Sequence, residues 1–344
     1  MLYILILYQL AAQNSSEIPR GKIFNLDDDS NIVHGNDIII DGNQLYLLEN
    51  RKGFVAKGLF LGDDHIGRFV PVAGKGEGPG ELNLPVEFFL DASSDKLIIK
   101  DERGFTTLTT NGDYVNRFRV FTFHIGFTCM GGHIYHASGN PLSDTIIDVY
   151  DYVGNKKRSF LKKFLAIETS NDSFRAQSFR DGYLYKGIML TDNRYLFYLN
   201  KTFGIFYKLQ PDGEEILRRD LSKNFKHGEF VVSKNDEYHK KGFNLKDRIS
   251  IYELFNDAFI TENHIYLYCR SNYFAQLGLQ KNPAISIYVF DKETFDFIRT
   301  FSLENHEDQQ FNAFTLTEKD GLVRAFALID VDVGFQVVEY TLEL

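Results

Sequence analysis

Short apolar segments alternate with turn residues along most of this chain. The segment 37–40 ends at Asp41-Gly42-Asn43, and a second apolar segment follows at 44–48. Similar turns occur at Asn111-Gly112-Asp113 and Pro211-Asp212-Gly213. Asp-Gly and Asn-Gly turns between alternating segments are strong signals for β-hairpins. The pattern therefore predicts a chain made almost entirely of antiparallel strands.

The hairpins recur as a repeat of about fifty residues. Each unit has two strands joined by a short turn, a polar loop and a closing hairpin, but the last unit has three strands where the others have four. This organisation predicts an all-β fold, a six-bladed β-propeller of four-stranded blades; a pair of packed sandwiches is the alternative. The units span residues 37–72, 87–120, 125–161, 177–221, 257–303 and 312–342.

Two details of this assignment are specific enough to test. In the fourth unit the pattern places the first strand at 177–179. Between the fourth and fifth units, residues 222–256 form an insertion of mixed charge, with one short helix expected at 247–254.

The missing strand has a candidate near the start of the chain. Residues 21–26 (GKIFNL) precede the first unit and read as a spare strand. We expect this strand to form the outer edge of the last blade, because an open sheet edge exposes unpaired backbone groups. The chain is thus predicted to be one propeller domain over residues 17–344, closed by its N-terminal strand.

A glycine-rich corner separates the first two units. Glycine at every second position, with one proline, describes backbone that must turn sharply. Consecutive backbone N–H groups of such a segment can also form an anion-binding nest, so a phosphate cradle is the alternative. Its place in the repeat favours a structural linker between blades. The linker residues are Gly74, Gly76, Gly78, Pro79, Gly80 and Glu81.

This linker carries a family resemblance. The sequence GKGEGPGEL at 74–82, preceded by RFVPV at 68–72 and followed by KLIIKD at 96–101, resembles six-bladed propellers of Bacteroidetes that are described as TolB-like and are distantly similar to NHL-repeat propellers. The resemblance implies an exported, envelope-associated protein without an assigned activity. It is specific for the family and says almost nothing about function.

The N-terminus supports export. Residues 2–10 (LYILILYQL) form an apolar run, and the small and polar residues that follow resemble the cleavage zone of a secretory signal, although a basic n-region is lacking. A buried first strand is the alternative. We therefore treat residues 1–16 as a signal-like segment and expect a periplasmic, cell-envelope or extracellular location.

Composition restricts the partners. The hydrophobic content of 44% and charged content of 25% are those of a soluble globular protein. The net charge of −9 argues against nucleic acid, whose phosphates need a basic face. No later segment is long and apolar enough to span a bilayer in the mature protein. We expect the protein to be a monomer. Cys129 and Cys269 are expected to be buried free thiols, with a disulfide as the alternative.

Candidate binding residues lie on one predicted face, which carries the loops between second and third strands and the connections between blades. Basic residues that follow second strands could converge there on a carboxylate, sulfate or phosphate. The alternative is that they are solvated turn residues paired with Glu49, Asp101 and Glu102. Exposed aromatics of the insertion 271–283 point to a protein or glycan-type ligand, unless they pack that loop onto the rim. The binding candidates are Arg51, Arg103, Lys201, Arg270, Tyr273 and Phe274.

Motifs for catalysis are absent from the sequence: it has no Gly-x-Ser-x-Gly, no His-Glu-x-x-His and no P-loop. The leading hypothesis is therefore a non-catalytic exported propeller that binds a ligand or protein through its loop face and has no cofactor. The alternative is a metal-dependent, lactonase-like hydrolase or lyase. In that case Asp37, Glu87 and Asp257, at the starts of inner strands, would hold Ca²⁺ in the central channel.

Overall fold

Six four-stranded antiparallel sheets form the molecule, as seen in a computed structural model of the chain. The innermost strands of these sheets contact one another in a closed cycle, so the sheets are the blades of a six-bladed β-propeller. The predicted fold is confirmed, and the sandwich alternative is wrong. The structure describes residues 21–27, 35–76, 78–120, 126–138, 143–164, 182–225, 227–241, 252–270, 285–303, 310–319, 322–330 and 335–344.

The first half of the chain supplies two short strands and three blades. The short strands are β1 (Lys22–Ile23) and β2 (Asn25–Leu26). Blade 1 contains β3 (Asp37–Asp41), β4 (Gln44–Glu49), β5 (Phe54–Leu59) and β7 (Val70–Ala73), with β6 (His65–Ile66) beside it. Blade 2 contains β8 (Pro85–Asp91), β9 (Lys96–Asp101), β10 (Gly104–Thr109) and β11 (Tyr114–Arg119). Blade 3 contains β12 (Phe127–Met130), β13 (His133–Ala137), β14 (Thr145–Asp151) and β15 (Lys156–Lys162).

The second half supplies the other three blades and the helix of the insertion between blades 4 and 5. Blade 4 contains β16 (Gly187–Thr191), β17 (Leu196–Asn200), β18 (Ile205–Leu209) and β19 (Glu215–Asp220). The helix α1 (Gly228–Lys241) follows. Blade 5 contains β20 (Asp257–Ile260), β21 (His264–Arg270), β22 (Ile285–Asp291) and β23 (Phe297–Leu303). Blade 6 contains β24 (Gln310–Lys319), β25 (Leu322–Asp330) and β26 (Phe335–Glu343).

Blade 6 is completed by the N-terminal strand, as predicted. Lys22 of β1 lies opposite Glu339 of β26, and the Phe24 N–H donates to the Val337 carbonyl at 2.9 Å. Phe24 is 3% exposed and packs edge-on against Phe60 of blade 1. The next two residues, β2, pair in parallel with β6. One short segment therefore joins the last blade to the first.

Apolar side chains fill the seams between neighbouring blades. Each of the hydrophobic clusters in the described part of the chain draws its residues from two adjacent sheets. At the seam of blades 5 and 6, for example, Tyr268 stacks on Phe314 with ring centroids 4.8 Å apart. Cys129 and Cys269 lie in such clusters as buried free thiols, so the disulfide alternative is wrong.

The glycine-rich corner connects β7 to β8 and encloses a side chain of its own. The Gly78 N–H donates to Glu81 Oε2 at 2.7 Å, and a Cβ added at Gly76 would lie 1.9 Å from the same oxygen. Leu82, fully buried, donates its N–H to the Gly74 carbonyl and accepts from the Gly76 N–H. The cradle that could have held a phosphate therefore holds the Glu81 carboxylate.

One local assignment was wrong, and a second lies mostly outside the described residues. The inner strand of blade 4 is β16, at 187–191, whereas the sequence pattern placed it at 177–179, outside the described residues. The turn that follows β16 has Asn193 at φ 66°, a left-handed conformation that asparagine tolerates. In the described part of the insertion the helix is α1. Of the predicted helix 247–254, residues 247–251 lie outside the described residues, and Tyr252 to Leu254 are not helical.

Candidate functional site

A cavity of about 540 Å³ lies on the axis of the ring, where the innermost strands of all six blades face one another. Ile39, Leu190 and Phe259, each partly exposed, contribute apolar wall from three of these strands. Ionisable side chains gather at one end, near the starts of the inner strands and the ends of the second strands. We call this end the channel mouth. Its ionisable wall residues are Asp37, Glu87, Lys100, Lys186, Lys201 and Asp257.

The blade topology places three acids at the channel mouth. Asp37 lies opposite Leu48 in blade 1, Glu87 opposite Lys100 in blade 2, and Asp257 opposite Tyr268 in blade 5. Because inner strands of a propeller run side by side around the axis, residues at equivalent register positions meet there. Residues that are 220 positions apart in the sequence, 37 and 257, thus share one cavity.

Hydrogen bonds from the backbone fix these carboxylates. The N–H groups of Phe88 and Ile38 donate to Asp37, so this aspartate of blade 1 also binds the inner strand of blade 2. The Phe127 N–H donates to Glu87 Oε1 at 3.4 Å, which repeats the arrangement one blade further on. Asp257 Oδ1 accepts from the Ala258 N–H at 2.8 Å. The acids are therefore held in place before any ligand arrives.

The three acids also repel one another. Burial raises the pKa of Asp37 well above its usual value, and the charges of Asp257 and Glu87 raise it further. Burial raises the pKa of Asp257 to about 6, with Lys201 opposing the shift. Burial likewise raises the pKa of Glu87, against the attraction of Lys100. The mouth thus contains carboxyl groups that can hold a proton near neutral pH and donate a hydrogen bond.

Lysines balance these carboxylates. Lys100, 2% exposed, has its Nζ 3.7 Å from Glu87 Oε2, and burial lowers its pKa. Lys186 Nζ is 2.5 Å from Glu253 Oε1, and Lys201 Nζ is 3.5 Å from Glu253 Oε2. Burial works against ionisation of Glu253, but Lys201 and Lys186 outweigh it and lower its pKa. The cavity therefore offers hydrogen-bond donors and acceptors of both charge signs beside apolar wall.

The predicted binding residues have different positions. Lys201 lines the cavity, whereas Arg51 and Arg103 are exposed on the loops of blades 1 and 2 and do not line it. Their backbone N–H groups bind the carboxylates of Glu49 and Asp101, which close these loops. Tyr273, Phe274 and the side chain of Arg270 lie outside the described residues. As binding residues, all of them stay predictions.

The acids Asp37, Glu87 and Asp257 do share one cavity, as the calcium hypothesis requires. Across the described residues, however, no three His, Cys, Asp or Glu side chains are grouped closely enough to hold a metal ion. Lysines occupy space among these carboxylates instead. Calcium binding therefore stays a prediction of the sequence.

Sequence reasoning missed Lys100, Lys186 and Glu253. Lys100 left a signal: a lysine interrupts the apolar run of β9, at a position whose neighbours are buried. Lys186 was hidden by the misplaced inner strand of blade 4. Glu253 left no signal, because its role depends on where the insertion returns to the ring.

Comparison with known proteins supports the fold alone. No family model matches the chain, and no curated protein matches it by sequence. Among solved structures, the chain is similar to a protein of Bacteroides fragilis that is provisionally named an exported protein. The two share 15% sequence identity with a TM-score of 0.58, and the match covers 96% of this chain and 97% of that one. It is also similar to a member of the DUF4221 family from Bacteroides vulgatus, with 10% identity, a TM-score of 0.52 and coverage of 94% and 97%. In the part of the chain that the structure describes, no helix has the length and apolar character needed to cross a membrane.

Proposed function

We propose that this propeller is a non-catalytic binding protein that holds a small polar ligand in the channel mouth. The observation that carries this proposal is the convergence of ionisable side chains from blades 1, 2, 4 and 5 on one cavity. Ligand sites typically combine a mainly apolar recess with a few fixed polar groups. The wall of this cavity is at least as polar as it is apolar, which favours a polar ligand. The volume, about 540 Å³, lies in the range of small-molecule sites.

A ligand rich in hydroxyl groups, such as a glycan fragment, suits this chemistry. A hydroxyl group both donates and accepts, so it can pair with a carboxylate and an ammonium group at once. Asn36 and Asn256 add amide groups at the same rim. A purely apolar ligand would desolvate the polar groups of the wall and offer them no hydrogen bond in return.

The experiment is a binding screen by isothermal titration calorimetry with neutral sugars, amines, carboxylates and CaCl₂. We expect a polar organic ligand to bind wild-type protein, and Asp257→Asn and Lys201→Met to weaken its binding at least tenfold. Asp296→Asn, at an exposed hairpin outside the cavity, is the matched control. A ligand whose binding depends on Arg51 and Arg103 but not on Lys201 would place the site on the loops of blades 1 and 2 instead of in the channel mouth. Stoichiometric calcium binding that Asp37→Asn abolishes would favour the metal-dependent enzyme.

We also infer that the protein belongs with the exported TolB-like and NHL-like propellers of Bacteroidetes and acts in the periplasm or cell envelope. The glycine linker, the apolar run at 2–10 and the similarity to the provisionally named exported protein support this inference. Fractionation of cells that express the full chain, with and without residues 2–10, tests it. Recovery of both forms in the cytoplasm would refute export.

A further inference from the structure

The insertion between blades 4 and 5 returns to the ring at the channel mouth. It leaves blade 4 after β19, contains α1, and reaches blade 5 through Tyr252 to Asn256. The Leu254 N–H donates to the Lys201 carbonyl at 2.8 Å, so this segment lies directly against the loop that carries Lys201. The insertion is therefore part of the site, although a propeller ring does not require it.

Glu253 of this segment bonds to two lysines of the cavity wall. One carboxylate oxygen contacts Lys186 and the other contacts Lys201, while Glu253 itself does not line the cavity. The carboxylate occupies the place that an oxyanion of a ligand would take between two ammonium groups. Lys100, the third lysine of the wall, already has Glu87 beside it.

Asn235 of α1 holds Glu253 in position. Asn235 is fully buried, and its Nδ2 donates to the carbonyls of Thr202 and Tyr252, both at 2.9 Å. Its Oδ1 accepts from the Tyr252 N–H at 3.1 Å. Thr202 follows Lys201 and Tyr252 precedes Glu253, so one side chain fixes the backbone beside both members of the ion pair.

We propose that Glu253 decides which charge the channel mouth accepts: it pairs with both Lys186 and Lys201 and offsets one of their two positive charges, so that the cavity favours neutral or cationic polar ligands over oxyanions. Asn235 is the positioning residue for Glu253. This proposal rests on the proposed function, since it specifies the ligand class of the same site. It is consistent with the pairing at the mouth, where each lysine of the wall has a carboxylate partner and Lys186 and Lys201 share theirs.

The test compares wild-type protein with Glu253→Gln, using sulfate as the probe. Loss of one negative charge between two ammonium groups in a recess should lower the Kd of sulfate at least tenfold, which corresponds to about 1.4 kcal/mol. The carboxyl ¹³C resonance of Asp257, followed by NMR against pH, should show its pKa falling below the wild-type value of about 6, because Lys201 is no longer shared. Asn235→Ala should move both measurements in the same direction but less far.

Glu293→Gln is the matched control, because Glu293 pairs with Lys208 away from the cavity. It removes the same charge and should change sulfate affinity less than twofold. The proposal is refuted if Glu253→Gln binds sulfate no more tightly than wild type. The Asp257 titration needs no ligand. Suppose that Glu253→Gln lowers both the pKa of Asp257 and the Kd of sulfate, but no polar ligand binds wild-type protein. In that case the proposed function fails and the role of Glu253 stands.

Discussion

Replacing Asp257 with asparagine should stabilise the protein, and the gain should depend on pH. The pKa of Asp257 is about 6 in the folded protein against 3.8 for an ordinary aspartate. The folded state therefore binds this proton more tightly than the unfolded state does. The carboxyl group contributes its full stability below pH 3.8, and that contribution is lost as pH rises through 6.

The magnitude follows from the shift. About two pKa units correspond to about 3 kcal/mol of lost stability above pH 7, and about 0.5 kcal/mol is lost at pH 4. Asparagine keeps the oxygen that accepts from the Ala258 N–H but carries no charge. Solvent in the cavity screens part of the effect, so 3 kcal/mol is an upper value.

Urea unfolding of Asp257→Asn and wild type at pH 4 and pH 8 measures the effect. We expect the variant to be more stable by about 1.5 to 3 kcal/mol at pH 8 and nearly equal to wild type at pH 4. Asp296→Asn, exposed in a hairpin of blade 5, should change little at either pH. A variant that is destabilised at pH 8, or shifted equally at both pH values, would refute the reasoning. Stability gained by removing a binding residue is a common trade-off at functional sites.

Two further substitutions test the ring itself. Phe24→Ala should lower the free energy of unfolding by about 3 to 4 kcal/mol, because it removes a buried ring that packs against blades 1 and 6. Thermal unfolding measures this loss. An unchanged Tm would show that the N-terminal strand does not close the ring. Gly213→Ala should cost about 2 kcal/mol, because Gly213 has φ 100° and an added Cβ would lie 2.4 Å from the Phe160 ring of the preceding blade. Gly42→Ala is the control, because Gly42 has φ 58° but open space around it, so this variant has backbone strain without a clash. Equal losses of unfolding free energy in Gly42→Ala and Gly213→Ala would contradict the contact with Phe160.

The ring was predictable because its signals are local. Turns such as Asp41-Gly42-Asn43 fix hairpins within a few residues, and their repetition gives the number of blades. The first strand of blade 4 was missed because its turn lacks glycine and depends on Asn193 in a left-handed conformation. The closing strand was predictable because an open sheet edge needs a partner.

The channel mouth was only partly predictable. Inner-strand register identified Asp37, Glu87 and Asp257 as a set, and the structure brings them to one cavity. The lysine and glutamate partners were not predictable, because they converge through tertiary structure. Glu253 reaches Lys186 only after the insertion has packed α1 against the ring, and no local pattern encodes that distance.

The pairing of β1 with β26 also has a consequence for folding. Each blade is built largely from neighbouring hairpins, which form quickly because their contacts are local in sequence. Lys22, in contrast, must find Glu339, so closure joins two segments separated by almost the whole chain. Until then β26 has an open edge able to pair with another chain. We therefore expect ring closure to be late and slow, and the interval before it to be the one in which this protein is most exposed to aggregation.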